Sequence, residues 1–484
     1  MKILMIAGEA APFAKTGGLA DVMKALPEAL AKAGHQVYVL IPYYREVRQK
    51  DFELKCELTL DVWLGGEKHE TRIYGTEFQG VSYMFAENDR FYDREHLYST
   101  PDGDYPDNAE RFGFLCKATV ELARALGGVD ILHSHDWQAG LVPVYRKVLY
   151  GDDPLLEGAA CVQTIHNLGY QGLFGPEILP ALDLPYDEVF HMEALEFYGK
   201  INFLKGGIVY ADVVSTVSKG YAREIQTPEF GHGLDGVLRK RADVLFGILN
   251  GADYEEWNPE TDKYIVKNYS ASDVSGKAEC KLDLLSEFGL PGKATDAVFG
   301  FVGRLAEQKG LDILIPALEE FLSKRRVKFV LLGTGDRIYQ EKAQKLAAKF
   351  PKRAGAKIAF DNALAHKIEA GCDFFLMPSR YEPCGLNQMY SLKYGTIPIV
   401  RATGGLDDTI EEFDPKTKKG NGFKFYDYTS EALVGALERA LAVFRKKNLW
   451  RVLQQNAFAC DFSWARSAAE YEKLYEEAKR RMAG

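Results

Sequence analysis

Short apolar runs that end in glycine-bearing loops, each followed by a segment of helical period, recur along this chain and restrict it to α/β folds with a mostly parallel sheet. The first instance is residues 3–7, a Gly-containing loop, a helical pattern over 19–32 and a second run over 36–41, which together make one β-α-β unit. Further buried strands are expected at 130–133, 161–166 and 212–217, completing one doubly wound domain. A second series opens near 245–253 and continues at 297–302, 328–332, 357–360, 373–377 and 396–400. A chain of 484 residues is longer than one hydrophobic core can serve, so two domains are expected, over 1–246 and 247–456, with a hinge in the Gly-rich segment 246–253. The last segment, 457–484, sets Ala468, Tyr471, Leu474, Tyr475 and Ala478 on one helical face that must dock, and we expect it back on the first domain.

Charge and cysteine usage exclude several classes. Sixty Lys and Arg against 69 Asp and Glu give a net charge of -9, which argues against nucleic acid or a membrane surface as a partner. The basic triplets at 239–241, 324–326 and 479–481 lie apart at helix ends and read as solvated surface. Seven scattered cysteines without a C-x-x-C pair suggest neither a disulfide framework nor a zinc cage and fit a reducing compartment. The amino-terminal apolar run stops at Gly8-Glu9 and reads as a strand, not a signal sequence, so a cytoplasmic location is expected.

Ligands of open α/β sheets bind beyond the carboxyl ends of strands, where helix N-termini present N–H groups to anions. Lys15, Gly17 and Gly18 occupy such a place, although taken alone the loop reads equally as a tight turn with a surface lysine. Arg304 and Lys309 flank a second such loop and together suit the oxygens of a diphosphate in the absence of a metal, although either residue taken alone reads as helix-end surface charge. Glu382, after another strand, suits sugar hydroxyls or caps a helix. Cys384 reads as a small buried residue. In His133-Ser134-His135-Asp136-Trp137, strand alternation turns neighbours opposite ways, so a polar sugar site is preferred to a metal cluster. His166 ends a strand as a substrate contact or a structural histidine. Gly333-Thr334-Gly335 lacks the third glycine of a dinucleotide fingerprint, and no P-loop pattern occurs. No cofactor and no metal are expected. One echo links the halves: Thr16-Gly17-Gly18-Leu19 and Thr403-Gly404-Gly405-Leu406 each open a helix.

Read in order, Lys15 to Leu19, His133 to Trp137, Thr164-Ile165-His166-Asn167, Arg304 with Gln308-Lys309-Gly310, Glu382-Pro383-Cys384-Gly385-Leu386, Thr403 to Leu406 and the closing Asp461-Phe462-Ser463-Trp464 resemble the bacterial glycogen synthase family over essentially the whole chain. The resemblance implies a GT-B fold, two Rossmann-like domains facing across a cleft, and transfer of glucose from ADP-glucose to the non-reducing 4-hydroxyl of an α-1,4-glucan with retention of configuration. It further implies that Lys15, Gly17, Gly18, Gly385, Leu386, Thr403, Gly404 and Gly405 bind the donor, that Arg304 and Lys309 hold its diphosphate, that Glu382 contacts the glucosyl hydroxyls, and that Asp136 and His166 line the sugar site. Where many related transferases carry a second Glu, this sequence has Tyr390, so no carboxylate is assigned to the ribose. Phe91, Tyr92, Tyr98 and Tyr105 read equally as rings for glucan stacking or as loop packing. The competing expectations are a GT-B transferase using UDP-glucose or another acceptor, and a non-catalytic two-domain sugar-binding protein. The sequence specifies no oligomeric state.

Overall fold

A computed structural model describes residues 1–483, which form two compact units: Met1–Gly251 together with the chain from Trp464 onward, and Ala252–Ser463. The first unit holds a nine-stranded sheet. Its strands are β1 (Lys2–Ile6), β2 (Gln36–Pro42), β3 (Lys55–Leu64), β4 (Glu67–Phe78), β5 (Val81–Ala86), β6 (Ile131–His135), β7 (Ala160–Ile165), β8 (Val213–Thr216) and β9 (Leu245–Gly247). They lie in the order β9-β8-β7-β6-β1-β2-β5-β4-β3, parallel except where β4 pairs with β5 and β3. Ile3, Leu4, Met5 and Ile6 are wholly buried, as a central strand covered on both faces requires. The chain leaves β1 for β2 on one side and later returns to β6 on the other. The gap between the loops that follow β1 and β6 is therefore the topological switch point, where a ligand is expected.

The second unit carries six parallel strands: β10 (Val298–Val302), β11 (Lys328–Leu332), β12 (Ala354–Lys357), β13 (Phe374–Met377), β14 (Ile397–Arg401) and β15 (Phe423–Phe425), in the order β12-β11-β10-β13-β14-β15. Its switch point lies between β10 and β13. The apolar runs of both units collect in separate cores.

The structure corrects several expectations. Leu245–Gly247 does not open the second series; it pairs in parallel with β8 and closes the first sheet. Ile248 continues that pairing by donating to Thr216 O at 2.8 Å and is buried in the first core, so the unit ends at Gly251 and not at 246. The boundary expected after 456 falls instead after Ser463, because Ala457 belongs to the second core and Ala252 donates to Phe462 O at 2.7 Å. The strand expected at 357–360 is Ala354–Lys357. The antiparallel meander β3-β4-β5 was not anticipated. Leu60, Val62 and Leu64 alternate inward along β3, and the Gly65-Gly66 turn, with φ of 61° and 76°, suits the primed turn of a tight hairpin.

The closing helix, Trp464–Met482, buries Ala468, Tyr471, Leu474, Tyr475 and Ala478 in the core of the first unit. A fully buried leucine such as Leu474 contributes about 2 kcal/mol. The last basic triplet is not merely solvated: Lys479 pairs with Asp130 at 2.6 Å and Arg481 with Asp243 at 2.8 Å, tying the helix end to the sheet. Among the described residues, no helix is long and apolar enough to cross a membrane.

Candidate functional site

Each unit places charged and polar groups at the carboxyl edge of its sheet. In the first, the loop after β1 is folded around Glu9, a buried carboxylate that accepts from Thr16 N and Oγ1, both at 2.6 Å, and from Gly17 N at 3.2 Å. The loop delivers the chain into helix Gly18–Lys32, which has no side-chain cap at Gly17. Lys15 pairs with Asp21 at 2.6 Å, both about half exposed. A Cβ at Gly17 would meet Glu9 Oε1 only at 3.5 Å, and one at Gly18 would meet nothing within 4 Å. Open space thus stands before a helix N-terminus, the arrangement that admits an anion.

Beside this loop, β6 is followed at once by Asp136, a buried residue held at φ 55°, which a non-glycine side chain adopts only under constraint. Its N–H donates to Thr164 O at 2.9 Å, and its Oδ1 accepts from His166 N at 2.7 Å. Burial pushes the Asp136 carboxyl up to about 7 against the pull of these backbone donors, and the Glu9 charge adds to the rise. His166 meets His135 edge to edge, with ring planes 25° apart and Nε2 2.9 Å from His135 Nδ1, and burial pushes it down to about 4. Tyr98 Oη and Gln138 Cγ both pack against Gly8, where a Cβ would lie 2.6 Å from the first and 3.1 Å from the second, so glycine is what lets these side chains close on the end of β1.

In the second unit, the loop after β10 runs through Arg304 to Lys309. Arg304 is exposed and donates to Gln308 Oε1 at 3.0 Å. Lys309 Nζ lies 2.6 Å from Glu382 Oε2, which also accepts from Ser379 Oγ at 3.0 Å. Two glycines make this approach possible. Gly310 has φ 74°, and a Cβ there would sit 2.0 Å from Pro378 O; a Cβ at Gly405 would sit 2.0 Å from Cys384 O. Gly405 N donates to Glu382 O at 3.1 Å, and Gln308 Nε2 to Tyr381 O at 3.3 Å. Helix Gly404–Thr409, capped by buried Thr403, is thereby docked on the loop that carries Glu382, Gly385 and Leu386.

The residues singled out from sequence accordingly fall into two groups: Lys15, Gly17, Gly18 and Asp136 at the switch point of the first sheet with His166 one strand along, after β7, and Arg304, Lys309, Glu382, Gly385 and Leu386 at that of the second with Thr403, Gly404 and Gly405 one strand along, after β14. Phe91 and Tyr92 are core residues, and Cys384 is buried. Tyr390 stacks flat on Trp257 with centroids 4.3 Å apart, and Trp257 stacks in turn on His366 at 3.8 Å. Sequence reasoning missed Glu9, which holds the Thr16–Gly17 loop, Ser379, which donates to Glu382, and the contact of His135 with His166. Only Glu9 carried a local signal, an acidic residue just past the first strand. Among the described residues no group of three or more His, Cys, Asp or Glu is placed to hold a metal.

Comparison with known proteins converges on one family. The model for the starch synthase catalytic domain matches residues 2–240, and that for glycosyl transferases group 1 matches 287–451. A glycogen synthase of Koribacter versatilis is 50% identical, with 99% of this chain and 98% of that protein covered. A glycogen synthase of Anaeromyxobacter sp. strain Fw109-5 is also 50% identical, covering 98% and 99%. The solved catalytic domain of starch synthase IV from Arabidopsis thaliana, bound to ADP and acarbose, superposes with a TM-score of 0.88 at 32% identity over 99% of each chain. Sucrose-phosphate synthase from Thermosynechococcus elongatus, at 17% identity and a TM-score of 0.59 over 98% of each chain, shares the fold alone.

Proposed function

The chain belongs to the glycogen and starch synthase family of GT-B glycosyltransferases, and we propose that it transfers glucose from ADP-glucose to the non-reducing 4-hydroxyl of an α-1,4-glucan, with retention, in the cytoplasm. The observation that carries this reading is the Lys309–Glu382 pair at 2.6 Å, built on glycine contacts at the carboxyl edge of the second sheet. Departure of ADP builds negative charge on the diphosphate and positive charge at the anomeric carbon. Lys309 and Arg304 stabilise the first as fixed cations. Glu382, oriented by Lys309 and Ser379, accepts from glucosyl hydroxyls, and Gly385, Leu386, Thr403, Gly404 and Gly405 shape the donor site around it. From the first unit, Lys15, Gly17 and Gly18 serve the donor, while Asp136 and His166 line the sugar site.

Retention through a covalent intermediate needs a carboxylate free to attack the anomeric carbon. Asp136 Oδ1 accepts from the backbone N–H of His166, and Glu382 Oε2 from Lys309 and Ser379, contacts that orient both carboxylates as acceptors. Our reading is same-face attack within an ion pair, with the His166 carbonyl as a dipole toward the developing cation and the leaving phosphate taking the proton of the acceptor. Incubation with labelled ADP-glucose and glycogen tests the reading: label is expected in the polymer. Incorporation from UDP-glucose in preference would correct the donor, and none from either by folded protein would favour a sugar-binding protein.

A further inference from the structure

His135, the last residue of β6, is wholly buried and has no part in the chemistry above. Its Nδ1 lies 2.9 Å from His166 Nε2, while its own Nε2 is buried with no hydrogen-bond partner. The ring of His133 packs against that of His135 with centroids 4.1 Å apart and planes tilted by 36°. Both nitrogens of His133 are occupied, by Tyr475 Oη at 2.9 Å and by Thr164 Oγ1 at 2.6 Å, so His133 offers His135 no hydrogen bond. Burial, with the neighbouring His133 and His166, holds His135 well below the usual imidazole range, so the ring is neutral and carries one proton.

One proton joins His135 Nδ1 to His166 Nε2, and the two ways of placing it are not equivalent. If His166 donates, the proton of His135 must sit on Nε2, as a buried N–H that has lost its hydration and found no acceptor. If His135 donates through Nδ1–H, its Nε2 is left as a bare lone pair, and buried unpaired acceptors are tolerated more readily than donors. His166 Nε2 is then an acceptor, and the proton of His166 moves to Nδ1, the nitrogen turned away from His135.

We propose that His135 is a positioning residue that holds His166 as its neutral Nδ1–H tautomer, so that His166 presents a fixed N–H donor to an oxygen of the bound sugar and transfers no proton. The tautomer follows from the buried pair alone; its use on a sugar rests on the glucosyltransferase reading.

The test uses the full chain with ring-15N histidine, the His166 signals being identified by their loss in His166→Gln. Long-range 1H–15N correlation should show His166 protonated on Nδ1 and bare on Nε2; the reverse overturns the proposal. His135→Leu should return His166 toward the Nε2–H form that free imidazole side chains favour, and should lower kcat about 10- to 100-fold, the scale seen when an orienting partner of a functional imidazole is removed, with the KM for ADP-glucose little changed. His135→Asn sets an amide N–H where Nδ1–H stood and should restore both the tautomer and most of the turnover, which a merely space-filling role would not. If His135→Leu does not fold, the wild-type spectrum and the Asn variant still decide. An unchanged tautomer or unchanged kcat in folded His135→Leu overturns the role. Should wild-type protein show the Nδ1–H form yet transfer no glucose, the functional reading falls and the tautomer assignment stands.

Discussion

Thr16-Gly17-Gly18-Leu19 and Thr403-Gly404-Gly405-Leu406 open helices in the two units with the same four residues, but glycine serves them differently. In the first, Gly17 has an extended backbone at φ -148° and a Cβ at Gly18 would touch nothing within 4 Å. In the second, Gly404 lies at φ 46° and a Cβ at Gly405 would overlap Cys384 O at 2.0 Å. The first pair keeps space empty in front of a helix; the second closes backbone against backbone so that Glu382 and Lys309 can meet. The side chains around them differ in the same sense. The first unit gathers a carboxyl pushed up to about 7 and imidazoles pushed down by burial, groups suited to hydroxyls. The second unit gathers a partly exposed ion pair and Arg304, suited to phosphate. A motif shared by two loops thus says where chemistry sits, while the surrounding backbone says which chemistry.

The largest effect is expected in the second unit. Lys309→Ala or Glu382→Gln should lower kcat about 100- to 1000-fold, the scale of losing one fixed partner of transition-state charge; Glu382→Gln should retain the thermal midpoint, whereas Lys309→Ala, which leaves the buried Glu382 carboxylate without its cation, should lower it. Steady-state kinetics alongside thermal unfolding checks this, and unchanged turnover removes the residue from the mechanism. Next, Gly405→Ala should destabilise the protein by about 2–4 kcal/mol, since overpacking against backbone cannot be relieved by a rotamer change; a denaturant midpoint equal to that of wild type would deny the contact with Cys384 its importance.

The first unit yields the pH prediction. Asp136 accepts the His166 N–H as a carboxylate, so kcat/KM should fall about tenfold per unit as pH drops below about 7. A limb near neutrality is normally credited to histidine, but His166 is pushed down to about 4. His166→Gln should therefore keep the limb at lower rate, and Asp136→Asn should flatten it; the opposite pattern assigns the limb to His166. Stability should run the other way. A carboxyl raised by burial favours folding below its unfolded value, and that contribution is lost as pH rises through about 7, so Asp136→Asn should gain stability relative to wild type mainly above neutrality.

What sequence could and could not convey divides along the same line as range in the chain. Strands such as Ile3 to Ile6 were legible because a strand covered on both faces is continuously apolar, and the site loops because they follow such strands. The β3-β4-β5 meander was overlooked although buried Leu60, Val62 and Leu64 alternate with exposed Asp61 and Trp63, because a search tuned to continuous runs discounts half-covered strands. Lys309 and Glu382 were each visible, but their pairing spans 73 residues and depends on Gly310 and Gly405 permitting backbone approach. The same holds for His135. Alternation correctly sends Ser134 away from its neighbours, yet it also sets His133 and His135 on one face, and the β6/β7 register, His135 opposite Thr164, is what brings His166 to its ring.

The smallest effect concerns Gly18, and it probes the comparison most directly. Gly18 is the first residue of the helix, and within a helix alanine is favoured over glycine by roughly 0.5–1 kcal/mol when nothing obstructs it. Since a Cβ at Gly18 meets no atom of the chain within 4 Å, Gly18→Ala should leave stability unchanged or slightly raised. If the vacant space admits the donor, the added methyl intrudes on it, and the KM for ADP-glucose should rise several-fold with kcat less affected, since a methyl that crowds ground state and transition state alike weakens uniform binding. Isothermal titration with ADP separates this from a catalytic defect. Unaltered affinity would mean that the first loop keeps its space for something other than the nucleotide sugar, and its likeness to the second loop would then carry no functional weight.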